Sequence, residues 1–336
     1  MNADLSTPSS PVPATTLDIR DLLAYLNQRI LGQEALNLRL LVALLADGHL
    51  LVEGAPGLAK TTAIKTLAGG LECDFHRVQF TPDLLPADLT GTEIYRPQEA
   101  SFHFQYGPIF HNLLLADEIN RAPAKVQSAL LEAMAERQVT VGRTSYPLPN
   151  LFLVMATQNP IEQEGTYPLP EAQLDRFLLY VRISYPDAQT EHAILRLARE
   201  QALQSESGTT AAEENARVSQ QRVFAARREA LALNLSPALE SYIVALVMAT
   251  RNPTPYGSEL SGWVRYGASP RATIALDRCS RAHAWLQGRD YVSPEDIQAM
   301  VPDVLRHRVL LTFEAEADGI DTERFITELL DRVPVP

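Results

Sequence analysis

The sequence predicts an α/β core, a parallel sheet of about five strands with helices on both faces, followed by a smaller all-helical domain. Three observations carry this expectation. Short apolar runs ending in glycine, acid or amide residues alternate with stretches of helical periodicity, the pattern of parallel strands joined by crossover helices. The turn after the first run is rich in glycine and opens a helix. After Pro186 the composition shifts and helix-start signals take over.

Residues 17–47 place apolar side chains at helical spacing through Leu36, Leu38, Leu41, Leu44 and Leu45, and are expected to be helix. His49 to Glu53 is a short apolar run that stops at Gly54, the first strand. Lys60 to Leu71 reads as a helix ending at Gly69-Gly70, and Asp74 to Phe80 as the second strand. Asn112 to Ala116 is apolar and runs into acid. Lys125 to Arg137 sets Val126, Ala129, Leu130, Ala133 and Met134 on one helical face. Leu151 to Ala156 and Phe177 to Ile183 complete the strands.

Two stretches stand outside the alternation. Thr92 to Arg96 and Ser101 to Gln105 flank Pro97–Ala100, with Phe102 and Phe104 alternating with His103 and Gln105, which predicts a β-hairpin. A second hairpin is expected over 139–148, around Gly142-Arg143. Both are insertions into the core, either touching a partner or covering a sheet edge. The expected organisation is a disordered tail over 1–16, the core over 17–188 and the helical domain over 189–336. A flexible Ser/Glu/Thr/Gly/Ala-rich loop is expected near 202–216. Ser236-Pro237 and Ser293-Pro294 read as helix starts, a cap residue followed by proline.

A chain of 336 residues suits two domains, and 46% hydrophobic with 21% charged residues places it among globular proteins. No apolar run is long enough to span a membrane. The only cysteines, Cys73 and Cys279, lie far apart and lack ligand spacing; reduced and structural, they fit a cytoplasmic protein. The seven histidines form no paired ligand motif, so no protein-ligated metal is expected from them. A net charge of −12 repels phosphate backbones and makes nucleic acid an unexpected partner.

The strongest motif is Gly54-Ala55-Pro56-Gly57-Leu58-Ala59-Lys60-Thr61, continuing to Thr62, set between a strand and a helix. Glycines let backbone approach a phosphate, and the N–H groups of a helix start face the anion. Lys60 would reach the β- and γ-phosphates, and the Thr61 hydroxyl would ligate Mg²⁺. Ala59 stands where the usual pattern has a second glycine, and a right-handed helical φ is expected there. Leu113 to Glu118 then delivers adjacent carboxylates to the sheet's C-terminal edge. Asp117 would hold Mg²⁺, and Glu118 would polarise a water molecule. Met155 to Asn159 ends a strand in amides, with Asn159 a candidate for positioning that water. Arg176, in Leu174-Asp-Arg-Phe177, and Arg271, in Ala268-Ser-Pro-Arg-Ala272, could each aim a guanidinium at transferring phosphate.

These strings in this order, with GPIF and INRAPAKVQSALLEAM between them, resemble the MoxR family of AAA+ ATPases over about residues 30–280. The resemblance implies a P-loop NTPase core and helical lid, ATP and Mg²⁺ as ligands, and ATP hydrolysis. It puts Lys60 and Thr61 in Walker A, Asp117 and Glu118 in Walker B, and Asn159 at sensor 1. Arg176 falls at the arginine finger offered to a neighbouring subunit, and Arg271 at sensor 2. It also implies a homo-oligomeric ring, commonly a hexamer. Such a ring would act as a chaperone on client proteins, often alongside von Willebrand factor A domain partners, and in some cases in metal-cofactor insertion. A DNA-associated motor and a nucleotide-gated switch with low turnover are the alternatives. A dehydrogenase is disfavoured, because GxxGxxK followed by Thr61 is not a dinucleotide fingerprint.

Overall fold

The computed structural model describes residues 18–160, 165–206 and 217–336. The expected tail over 1–16 and the 207–216 part of the expected loop lie outside the described residues; 202–206 continue a helix.

The core is a five-stranded, all-parallel sheet. Its strands are β1 (Leu50–Glu53), β2 (Phe75–Gln79), β5 (Leu113–Asp117), β8 (Leu153–Gln158) and β9 (Leu179–Arg182), in spatial order β2-β5-β8-β1-β9. The two hairpins form as antiparallel pairs apart from the sheet: β3 (Gly91–Arg96) with β4 (Ser101–Tyr106), and β6 (Gln138–Val141) with β7 (Thr144–Pro147). Strand β5 is buried at every position, as its unbroken Leu-Leu-Leu-Ala run requires in a sheet covered on both sides.

Helices α1 (Ile19–Arg29), α2 (Glu34–Leu45), α3 (Lys60–Gly69), α4 (Pro86–Thr90), α5 (Ala124–Glu136) and α6 (Glu171–Leu174) belong to the same half of the chain. The helical stretch expected over 17–47 is thus two helices, α1 and α2. Gly32, at φ 75°, breaks it, and a side chain there would meet Thr190 Cγ2 at 2.6 Å and Pro186 Cβ at 3.1 Å. Apolar spacing continues across the break, so periodicity alone joins what the turn separates.

The second half contains α7 (Ala188–Glu206), α8 (Gln220–Leu231), α9 (Pro237–Arg251), α10 (Ser258–Trp263), α11 (Pro270–Leu286), α12 (Pro294–Leu305), α13 (Phe313–Ala317) and α14 (Thr322–Arg332). Ser236 caps α9 by accepting the Leu239 N–H, and Ser293 with Asp296 forms a capping box on α12. This half is not purely helical: Val264–Tyr266 pairs antiparallel with Leu310–Leu311.

Two of the junctions between the halves carry buried side chains. Helices α1 and α2 share one apolar cluster with α8, α9, α11 and α12, and Arg39 Nε meets Asp303 Oδ2 at 2.7 Å. At the other junction, Arg306, His307 and Arg308, just beyond α12, reach β9 and the segment leading into it. Arg306 bonds to the Tyr180 carbonyl, and His307 lies 3.2 Å from the Phe177 carbonyl. Arg308 pairs with Asp175 at 2.8 Å and also donates to the Phe177 carbonyl at 2.6 Å. Arg308 is nearly buried, so its charge depends on those partners.

Candidate active site

Parallel strands deliver their C-terminal ends to one edge, and the chemically active side chains collect there. Pro56, Gly57, Leu58, Ala59, Lys60, Thr61 and Thr62 line a cavity of about 350 Å³ with Arg77, Asp117, Glu118, Thr157 and Asn159. Most of the side chains expected from the sequence thus meet in one place. Gly54 and Ala55 do not line it; they are buried at the base of the loop.

The loop's two glycines serve different needs. Gly57 sits at φ 85° with open space where a side chain would be, so backbone conformation selects it. At Gly54 the constraint is packing: an added Cβ would lie 2.3 Å from Ile183 Cγ1. The phosphate-approach argument therefore applies to Gly57 and not to Gly54. Lys60 turns back over the loop and donates to the carbonyls of Gly54 and Ala55, the latter at 3.3 Å. The first N–H groups of α3 have no intrahelical acceptor, and the residues that carry them line the cavity.

Ala59 corrects the expectation of a right-handed φ. It adopts φ 57°, ψ 17°, the left-handed conformation. The loop keeps the backbone geometry that glycine serves elsewhere, at a cost of roughly 1 kcal/mol for the methyl group. Glu118 shares this feature, at φ 56°, ψ 51°. Two strained non-glycine residues lining one cavity make it the candidate site.

The acid pair is held by three elements. Register places Gln79 opposite Asp117 and Ala116 opposite Ala156, so β2 and β8 flank the end of β5. Thr157 Oγ1 donates to Asp117 Oδ1 at 2.6 Å and accepts the Glu118 N–H at 2.9 Å. Arg77 reaches Asp117 Oδ2 through Nη2 at 2.6 Å and Nε at 3.1 Å. Gln79 Nε2 donates to Glu118 Oε2 at 2.6 Å, and Arg121 meets the same oxygen at 2.8 Å. Thr157, Arg77 and Gln79 do not stand out in the sequence. Their signal is polar residues on strands beside the acid strand, and only the sheet order makes them neighbours.

Thr61 and Asp117 offer a hydroxyl and a carboxylate in one cavity, a hard-oxygen donor set suited to Mg²⁺ with retained waters. Asn159 is buried just past the end of β8 on the same cavity. Neither Arg176 nor Arg271 lines it. Arg176 follows α6 and is partly buried; Arg271 lies 3.8 Å from Asp175, the residue that Arg308 also holds.

A second cavity, of about 270 Å³, adjoins the first and shares Gly57, Leu58, Ala59 and Thr62 with it. Its other walls come from Arg29, Ile30, Leu31 and Gln33 at the α1–α2 break, and from Pro186, Glu191, Ile194, Leu197 and Ala198 on and before α7. A largely apolar slot beside a phosphate loop suits a flat heterocycle. Nothing in the sequence pattern announces it, because the break at Gly32 creates its wall.

Comparison with known proteins agrees with this fold. The family pattern described as "ATPase family associated with various cellular activities (AAA)" matches residues 49–179, and that of the AAA lid domain matches 262–329. Chaperone MoxR1 of Mycobacterium tuberculosis is 47% identical over 310 residues, 91% of this chain and 79% of that protein. Protein MoxR of Methylorubrum extorquens is 34% identical over 352 residues, covering 97% and 98% of the two chains. A crystal structure of a candidate ATPase from Cytophaga hutchinsonii superposes with a TM-score of 0.85 at 47% identity, covering 95% of this chain and 94% of that one.

Proposed function

Because the chain belongs to the MoxR family of AAA+ ATPases, we propose that it hydrolyses Mg-ATP in the cavity between the 54–62 loop and Asp117-Glu118, and uses the cycle to remodel client proteins. One observation carries the reading: loop, acid pair and sensor amide converge on a single cavity at the C-terminal edge of the sheet. The adjoining slot would take the adenine.

In this reading the α3 amides and Lys60 bind the triphosphate, with Lys60 leaving the carbonyls of Gly54 and Ala55 to do so. Thr61 and Asp117 would hold Mg²⁺, which when bound would neutralise charge on the β- and γ-phosphates. Glu118 orients the attacking water and accepts its proton, and Asn159 fixes the water's position. Gln79 and Arg121 share the Glu118 Oε2 and hold the carboxylate in place while its other oxygen faces the water. Arg176 and Arg271 would act from a neighbouring subunit or after lid rotation, since neither lines this cavity within the chain.

The same reading makes the working form a homo-oligomeric ring, commonly of six subunits, in the cytoplasm. The hairpins β3–β4 and β6–β7 would meet the client, and a von Willebrand factor A domain protein would be a partner. Among the described residues no helix is long and apolar enough to cross a membrane.

Glu118→Gln tests the assignment. It should retain nucleotide while turnover falls on the order of a hundredfold or more. Lys60→Ala should lose nucleotide retention. Full turnover in the first variant, or equal retention in the second, would sink the reading.

A further inference from the structure

Arg77 lines the cavity, yet the mechanism above leaves it without a task. It projects from β2, and its side chain is half exposed, against 11% for that of Asp117. Two of its N–H donors converge on one atom, Asp117 Oδ2, and Nη2 also donates to Gln79 Oε1 at 3.1 Å. The other carboxylate oxygen, Oδ1, accepts from Thr157. Both oxygens of the proposed metal-binding carboxylate are therefore engaged, one by a buried neutral hydroxyl and the other by a half-exposed charge.

An oxygen accepting two charge-assisted hydrogen bonds has little lone-pair density left for a cation, and a guanidinium repels a divalent ion placed beside it. The two cannot share Oδ2. A half-exposed ion pair is worth little, so a divalent cation can break it. Gln79 Oε1, already bonded to Nη2, offers the guanidinium an anchor on the way out.

We infer that Arg77 is a resident counter-cation of Asp117 that Mg²⁺ must displace, so that this guanidinium sets the metal threshold for nucleotide binding. The inference rests on reading Asp117 as the metal-binding carboxylate. Arg77 is in this sense a positioning residue: it controls when Asp117 is available to metal.

The test measures affinity for a fluorescent ADP analogue across a Mg²⁺ series and in EDTA, with no turnover involved. Arg77→Gln removes the competing charge. The gain in affinity on adding metal should widen severalfold, about two- to fivefold, relative to the unaltered chain, and half-saturating Mg²⁺ should fall accordingly. Arg77→Lys keeps the charge but not the forked pair of donors, so its threshold should fall between those of the unaltered chain and the Gln variant. An unchanged metal dependence in the Gln variant would overturn the inference, as would a Lys variant behaving like the Gln one. Failure of the nucleotide reading itself looks different: the unaltered chain would then bind no analogue at any metal concentration.

Discussion

The hydroxyl of Thr157 lies between the two acids, donating to Asp117 Oδ1 at 2.6 Å while accepting the Glu118 N–H at 2.9 Å. One side chain on β8 thereby fixes both the carboxylate rotamer of Asp117 and the left-handed backbone of Glu118. Thr157→Val keeps the shape and removes the hydroxyl, leaving a buried carboxylate oxygen and an amide unpaired. Stability should fall by about 1–3 kcal/mol, and turnover on the order of tenfold or more. Thr157→Ser should restore most of both. Urea unfolding and steady-state phosphate release measure the two effects; a Val variant matching the parent in both would remove Thr157 from the site.

Ala59 supplies a stability test. Its φ of 57° is one glycine adopts freely. Ala59→Gly relieves that strain but increases unfolded-chain freedom, so the net change should lie between zero and about 1 kcal/mol stabilising. Ala59→Val should cost more than about 1 kcal/mol, because a β-branched residue resists this conformation. Denaturant midpoints decide it, and a Val variant as stable as the parent would contradict the backbone assignment.

The slot beside the loop predicts a binding defect without a folding defect. Ala198 is exposed on its wall. Ala198→Trp should fill the space and weaken ADP and ATP about equally, by at least about tenfold, with the melting temperature unchanged. Undiminished affinity for both nucleotides would mean that the base binds elsewhere.

Acid should destabilise the fold through His49. Its ring is fully buried, Nδ1 accepts the Val154 N–H at 3.0 Å, and burial together with Arg137 lowers its pKa to about 3. The ring is thus neutral when folded and gains its proton only on unfolding until pH approaches 3. The stability it contributes is complete above the ordinary value of 6.5 and declines as pH falls below it. From pH 7 to pH 5 the loss from this group should be roughly 2 kcal/mol, from about 1.4 kcal/mol per pH unit. Buried His307, also pushed well below the ordinary value by desolvation and by Arg308, adds in the same direction. His49→Gln should flatten the dependence between those two pH values; an unchanged slope would assign it to other groups.

The loop at 54–62 and the Asp117-Glu118 pair are legible in the sequence because each is local, a strand joined to the turn directly after it. The five strands and both hairpins are legible on the same ground. Thr157, Arg77 and Gln79 are not, because they meet the acids only through lateral register; Arg77 and Asp117 are 40 residues apart. The α1–α2 break is hidden beneath continuous apolar spacing, and the slot beside the loop with it. The Ala59 conformation departs from expectation because helical propensity takes no account of the turn that Gly57 imposes just before Leu58.

The two hairpins meet in a ring stack. Phe104 of β4 and Tyr146 of β7 lie 3.9 Å apart at 13°, with Tyr106 and Phe110 packed at their edges. Chain leading into the acid strand and chain leading away from α5 are therefore clasped together outside the sheet. A tilt of α5 that moved one hairpin alone would have to break this stack, at a cost of about 0.5–1.5 kcal/mol for the pair, so the cheaper displacement carries both hairpins together.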